Sequence, residues 1–540
     1  MVSIFLVMTI LEAVIVTFVR LWYLMAISIL IAIVFGILAA RVKIAEMIII
    51  PITDVLESVP VISFFPIVLV LFLVDIGGSL GIELAVDFLI ITALVWNIIL
   101  GVYQAVSHIP NELIEATKVF HLSLWHRLRY LYVPASIPKI VANIIPSFAS
   151  GLFYITLSEV IQFGRTTYSV AGIGKVAIQI ASRGDLAGEG VLFLILIIAL
   201  ILNFLLIINP LVKFSDKYTL EQERGEGGTV RSRGRNNITT SMTQRTSQVI
   251  TSSIQAFSSL NKIVKYMPGG KLKKRLKLSE RGVNLAVGLI LIFILFASIY
   301  VIAKSGFSEA FILYMLNRDF LLAATVGTAY DLLRIIIVYA ISLLTMIPLA
   351  IIAGSKRKKG ETLNMAMQVV YSIPAPIFFP LIVVYLTPLL ASRYSPDIAF
   401  NIDVLIITYL SAASYIFFNV YGATRSIPSE LNMVATTLKM KRLARLRYLV
   451  IPSIIPAFIT GSMSAMGSYW AGLMVGEYTS IHGKSYSVTY GLMKMIDVAI
   501  ANDNVKLADA VDIYMVIVIV IISYFLWIRL YSYTKKRYTL

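Results

Sequence analysis

Residues 109–138 read IPNELIEATKVFHLSLWHRLRYLYVPASIP, and the pattern returns at 427–456 as IPSELNMVATTLKMKRLARLRYLVIPSIIP. At one constant offset Pro110 matches Pro428, Glu112 matches Glu430, and Pro138 matches Pro456. The strings Arg127-Leu128-Arg129-Tyr130-Leu131 and Arg445-Leu446-Arg447-Tyr448-Leu449 coincide, as do Pro134 and Pro452. Each copy is a polar, basic insert between two apolar runs. A fold that holds one insert must therefore hold two in equivalent places, on one side of a membrane.

The surroundings make the membrane unavoidable. The 540 residues are 59% hydrophobic and only 14% charged, with mean hydropathy +0.87. Soluble domains are about 25% charged. Taking about 20 apolar residues per crossing, eleven spans are expected: 21–40, 47–73, 87–107, 137–158, 190–212, 283–303, 334–353, 363–388, 403–423, 453–474 and 512–531. Residues 1–20 are apolar too and read as an interfacial or continuing helix. They lack a basic n-region and a small-residue cleavage site, so they read as retained.

Loops 41–46, 108–136, 213–282, 354–362, 424–452 and 532–540 hold 33 of the 46 Lys and Arg. The positive-inside rule makes this set cytoplasmic, with the N-terminus outside, the C-terminus inside, and the chain a multi-pass protein of the cell membrane. The net charge of +17 thereby belongs to topology and to anionic lipid rather than to nucleic acid. With no Cys and four His, thiol chemistry is excluded and no metal site is expected.

The duplication extends beyond the inserts. Upstream the offset is 314, pairing Arg20 with Arg334 and SVPVISFFP at 58–66 with SIPAPIFFP at 372–380. From the inserts onward it is 318, pairing Glu159 with Glu477 and Tyr168-Ser169-Val170 with Tyr486-Ser487-Val488. Four extra residues in an external loop of the second half account for the change. Two parallel repeats, 1–212 and 283–540, imply an all-α transmembrane fold with a pseudo-two-fold along the membrane normal and a solute path between the halves. The joining stretch 213–282 is a basic cytoplasmic linker. Residues Ile250, Ile254, Phe257, Leu260 and Val264 recur in it at helical spacing, as a solvated tether or an amphipathic helix on lipid.

No catalytic constellation appears. The nearest approach to a nucleotide-binding loop, Gly483-Lys484-Ser485, has its preceding glycine seven residues back at Gly476 and lacks the spacing that cradles phosphates. The chain reads as a non-enzyme with no cofactor of its own.

The inserts resemble the cytoplasmic coupling loop, the EAA motif, of the permease subunits of binding-protein-dependent ABC importers. That pattern is Glu-Ala-Ala, a Gly four residues on, and a Pro nineteen residues after the Glu. Here Glu115-Ala116-Thr117 and Pro134 fit it. The second copy has Met433-Val434-Ala435 and Pro452, and the Gly position holds His121 in one copy and Lys439 in the other. The resemblance implies two separate ATPase subunits docking at Glu112, Glu115, Arg127, Arg129 and their counterparts Glu430, Met433, Arg445 and Arg447. It also implies an extracytoplasmic solute-binding protein. ATP would be used by those partners. The apolar side chains Leu113, Ile114, Val119 and Leu122 suit a helix-in-groove contact, while positive-inside signalling alone explains individual arginines but not the repeated string.

The Pro-rich repeats point to the path. Pro60, Pro374 and Pro376 cannot donate amide hydrogen bonds, and freed backbone at membrane depth survives where protein or a wet cavity meets it. Ser58, Ser63 and Ser372 are the expected polar lining. This segment also resembles the nitrate, sulfonate, taurine and bicarbonate branch of such permeases, which implies a small anion. Glu159 and Glu477 would repel one, and read as structural or gating acids, paired with nearby Arg165 or Lys484 or lying at the wet interface. A neutral or cationic solute, an ion-gradient-driven transporter and a structural membrane subunit are the alternatives.

Overall fold

The computed structural model describes residues 4–58, 61, 68, 71–72, 76–163, 166–218, 314–481, 484–502, 504–522, 525–526 and 530. Helix α1 (Ile4–Arg41) is followed by α2 (Lys43–Ser58), α3 (Gly78–Ser107) and the short α4 (Asn111–Val119). Helix α5 (Leu124–Ser158) leads into a hairpin of β1 (Val160–Phe163) and β2 (Thr166–Ser169). Helices α6 (Ile173–Arg183) and α7 (Leu186–Ser215) complete the first set.

The second set repeats it: α8 (Arg318–Ser355), α9 (Arg357–Ser372), α10 (Ala375–Ala391), α11 (Pro396–Arg425), α12 (Ser429–Thr437) and α13 (Arg442–Gly476). Then come β3 (Tyr478–Ile481), β4 (Lys484–Ser487), α14 (Leu492–Ala501) and α15 (Val505–Ile522). Displaced by 314, α2 falls on α9 end for end; displaced by 318, α3, α4 and α5 fall on α11, α12 and α13.

Seven described helices are long and apolar enough to cross a membrane, and α9 with α10, bent by 66°, make an eighth. These eight are the expected spans 21–40, 87–107, 137–158, 190–212, 334–353, 363–388, 403–423 and 453–474. Spans 47–73 and 512–531 are described in part, and span 283–303 lies outside the described residues, as does the linker beyond 218. Residues 4–20 continue α1 without a break. Its 38 residues give about 57 Å of helix. A hydrocarbon core of about 30 Å requires less, so tilt or projection takes up the excess. The two hairpins and α6 and α14 were not anticipated; four-residue strands leave little periodic signal in a chain this apolar.

Within the first half α1 packs on α3 and α3 on α5; within the second, α8 packs on α11 and α11 on α13. Between the halves the contacts are exchanged. Helix α2 lies against α13, and its counterpart α9, with α10, lies against α5. Reciprocal contacts of this kind are the mark of a two-fold relation, here internal to one chain.

Four five-residue π-turns occur in the described helices: Leu128–Tyr132, Phe204–Ile208, Ile382–Leu386 and Leu446–Val450. Each ends two residues before a proline: Pro134, Pro210, Pro388 and Pro452. Proline in a helix interior removes a hydrogen bond and clashes with the carbonyl four residues back, at a cost of about 3 kcal/mol. A widened turn at that carbonyl relieves the clash. This is the physical content of the duplicated Arg-Leu-Arg-Tyr-Leu-x-x-Pro string: it is a helix with a built-in wide turn.

Candidate functional site

The repeated inserts are built alike to within a few degrees. Pro110 (φ −53°, ψ 137°) opens α4 and Pro428 (φ −54°, ψ 141°) opens α12, each supplying the fixed φ a helix start needs. Both helices end in a left-handed residue, and these are the two described non-glycine residues with positive φ: His121 and Lys439, each at 48°. Leu122 N–H then donates to the Thr117 carbonyl at 3.0 Å, and Met440 N–H to that of Ala435, also at 3.0 Å. The position expected to carry glycine therefore keeps the glycine conformation without the glycine, at about 1–2 kcal/mol.

Arg127 donates from Nε to the Leu122 carbonyl at 3.0 Å, and Arg445 donates to Asn432 at 2.7 Å, so both brace their own loops. Arg129 and Arg447 lie over Tyr130 and Tyr448, 5.7 and 5.6 Å from the ring centres. Thr117 and Ala435 are buried beneath the helices, whereas Glu112, Glu115, Glu430 and Met433 are exposed and Ala116 is half-buried. The apolar contact surface differs from expectation: Ile114 packs against the core and Leu122 is half-buried. Leu113, Val119, Phe120 and Trp125 are exposed; at offset 318 Leu438 and Leu443 match the last two, and Met433, in the place of Glu115, is exposed as well.

Glu159 and Glu477 correct the sequence reading most directly. Neither is at a wet interface; both are 0% exposed. Glu477 Oε1 meets Arg334 Nη1 at 2.9 Å, and the same nitrogen lies 3.1 Å from Asp331 Oδ1. Arg334 also donates to Asn401 at 3.0 Å and to the Tyr490 carbonyl at 2.8 Å. In the first half Arg20 Nη1 is 4.0 Å from Glu159 Oε1, and Arg20 binds Glu83 at 2.6 Å and the Ala171 carbonyl at 3.2 Å. Thr17, matching Asp331 at offset 314, donates to Glu159 at 2.6 Å and accepts from Ile173 N–H at 2.9 Å. The partners are thus Arg20 and Arg334 on the opening helices. Arg165 lies outside the described residues, and so does the side chain of Lys484. Each hairpin folds back so that Val170 or Val488 N–H donates to the acid's own carbonyl at 3.0 Å, which brings Gly172 or Gly491 against the carboxylate. A Cβ there would stand 1.9 Å from Glu159 Oε1 or 2.1 Å from Glu477 Oε2.

Where the halves meet, two adjoining cavities share Ser150, Tyr154, Tyr415 and Ser468; Ser150 and Ser468 are counterparts at offset 318. One is lined also by Tyr371, Pro374 and Phe418. The other is lined also by Glu57, Trp96 and Asn97. Of the expected path residues Pro374 lines a cavity. The Ser372 hydroxyl instead donates to the Gln368 carbonyl at 2.6 Å, and Pro376 sits in the first turn of α10 away from the lining. Pro60, Ser63 and the side chain of Ser58 lie outside the described residues. Sequence reasoning missed Glu57, one residue before the repeated segment. An acid in an apolar run with no basic neighbour was the available signal.

Two interlocked helical halves meet around a cavity, with twin polar loops, one from each half. The chain matches the family described as binding-protein-dependent transport system inner membrane component at residues 32–213 and again at 346–539, and it belongs to that family. This sets it among transport components rather than enzymes. It is 26% identical over 149 residues to the nitrate import permease protein NrtB of Leptolyngbya laminosa, covering 28% of this chain and 50% of that one. It is 28% identical over 164 residues to the glycine betaine/proline betaine transport system permease protein ProW of Escherichia coli (strain K12), covering 30% and 44%. With the osmoprotectant import permease protein OsmW of Salmonella typhimurium the identity is 26% over 197 residues, covering 35% and 86%. The chain spans about half the length of the first two.

Proposed function

We propose that this chain is the membrane permease of an ABC importer. In this reading repeats 1–212 and 283–540, joined by the basic linker 213–282, carry a small solute inward along their shared interface. The observation that carries the reading is the exchange of α2 and α9 between halves around cavities on the dyad, with both coupling inserts on the basic side. Two ATPase subunits dock at the inserts around Glu112, Glu115, Ala116, Arg127, Arg129, Glu430, Met433, Arg445 and Arg447. They close on ATP and reopen, and the wide turns before Pro134 and Pro452 link each insert rigidly to α5 and α13. An extracytoplasmic solute-binding protein delivers the solute from the side of the hairpins. The chain itself binds no ATP, and its C-terminus is cytoplasmic.

Two substrate readings follow from different observations. The likeness to a nitrate import permease supports a small oxyanion, held by helix ends and hydroxyls without fixed positive charge. The likeness to betaine and osmoprotectant permeases, together with an acid in the cavity wall, supports a solute without net negative charge. The test is co-expression with a candidate ATPase and binding protein, then ATP hydrolysis in proteoliposomes with nitrate, bicarbonate, glycine betaine and a sugar. Hydrolysis coupled to uptake of one solute class is expected. Uptake of that solute by the chain alone, driven by an ion gradient, would overturn the importer reading.

A further inference from the structure

Glu57 stands near the end of α2, about 21 Å along the helix axis from Lys43. Its Oε1 accepts a hydrogen bond from Ser464 at 2.7 Å across the interface between the halves. Ser464 falls midway between Pro452 and Gly476, so the contact lies near the middle of the membrane length of α13. No Lys or Arg occurs between Lys43 and Lys118, nor between Arg447 and Lys484. The two helices that meet at Glu57 therefore supply no cation along their membrane lengths, and none of the described ion pairs includes this residue. An acid at this depth is expensive and is kept for a partner.

The cavity wall indicates what the partner is. Trp96, Tyr154 and Tyr415 line the same cavity, which contains no other charged residue among its described lining. The Trp96 Nε1 is buried without a hydrogen-bond partner among the described residues. Aromatic faces attract cations through their quadrupoles, and the attraction grows when water is excluded. One carboxylate with three aromatic side chains suits a compact alkylated ammonium, which has no N–H groups to satisfy. At offset 314 the counterpart of Glu57 is Tyr371, which lines the adjoining cavity. At this pair of positions the dyad is broken by a charge, which favours one side of the interface for a cationic head.

We propose that Glu57, with Trp96, Tyr154 and Tyr415, forms a mid-membrane site for the alkylated ammonium group of a small solute. The site rests on the permease reading, deepens it, and takes the side of a cationic or zwitterionic solute over an anion. Asn97 and the hydroxyls of Ser150, Ser464 and Ser468 supply the polar remainder of the wall, room for a solute's second, uncharged or anionic end.

The experiment is equilibrium binding of radiolabelled choline to the full chain in lipid nanodiscs, without ATPase or binding protein. One saturable site is expected, competed by tetramethylammonium and glycine betaine and indifferent to nitrate. Glu57→Gln keeps an acceptor for Ser464 and should weaken choline at least tenfold, and Trp96→Leu should weaken it several-fold, with both variants eluting as the parent does. Absence of saturable choline binding to the parent, or equal binding by Glu57→Gln, would overturn the site. Displacement by nitrate at similar concentration would overturn its sign. Co-purification of an ATPase through the coupling loops is independent of all these outcomes, so failure here leaves the importer reading standing.

Discussion

Arg334 reaches from α8 to Glu477, 143 residues further along the chain, and holds it at 2.9 Å with both side chains buried. Arg20 stands toward Glu159 in the same way across the first half, at the longer distance of 4.0 Å. Each pair ties an opening helix, α1 or α8, to the end of α5 or α13 opposite its repeated insert.

Removing one partner of a buried pair strands the other, at about 3–5 kcal/mol. Arg334→Ala should therefore lower the thermal midpoint of the purified chain far more than Arg425→Ala, whose partner Glu361 is well exposed at the surface. Asp331→Thr installs what the first half has at Thr17 and should cost about 1 kcal/mol or less. Differential scanning fluorimetry in detergent reads all three; an unchanged midpoint in Arg334→Ala would remove the clasp from the stability account.

Gly172→Ala and Gly491→Ala press a methyl group into the clasp carboxylates, where it would stand about 2 Å from an oxygen. Neither neighbouring helix can yield freely, so each change should cost about 1–3 kcal/mol. Gly190→Ala, with open space around its Cβ, is the control and should be silent in the same melt.

His121→Gly should stabilise the first coupling loop or leave it unchanged, because φ of 48° suits glycine. His121→Val should lose ATPase docking, since a β-branched residue resists that conformation. Pull-down of the ATPase by each variant measures the difference, and equal retention by Val would mean that the left-handed turn is not needed for docking.

Phe120 is 75% exposed and Trp125 67% exposed, so Phe120→Glu and Trp125→Glu should leave the chain folded. Each should reduce ATPase association about tenfold or more, as loss of an aromatic anchor does at an interface. Glu115→Ala should weaken association less, being a rim charge. Normal assembly by both aromatic variants would move the docking surface elsewhere.

The Cys-free chain allows Ser123→Cys and Ser392→Cys to be made singly, both at exposed positions. A membrane-impermeant maleimide added to intact cells should label the second and spare the first. Labelling of Cys at 123 from outside would invert the topology.

Much of this was legible in consecutive residues. The two offsets, eight of the spans, the break at Pro374 and the twin inserts are each written in a run of neighbours, where a lost amide donor or a long apolar run acts locally. Even the wide turns can be read afterwards from the spacing to Pro134 and Pro452. The tertiary structure alone decided which helix faces meet. A helix apolar all round carries little sign of its buried side. Nothing adjacent to Glu159 announced Arg20, on a helix much earlier in the chain, and nothing beside Glu57 announced Ser464 in the other half. Ion pairing and cavity lining depend on distances that only the packed halves create. The repeat itself was in the sequence; the exchange of α2 and α9 across it, and the meeting of Glu57 with Ser464 at the interface, exist only once the chain has folded.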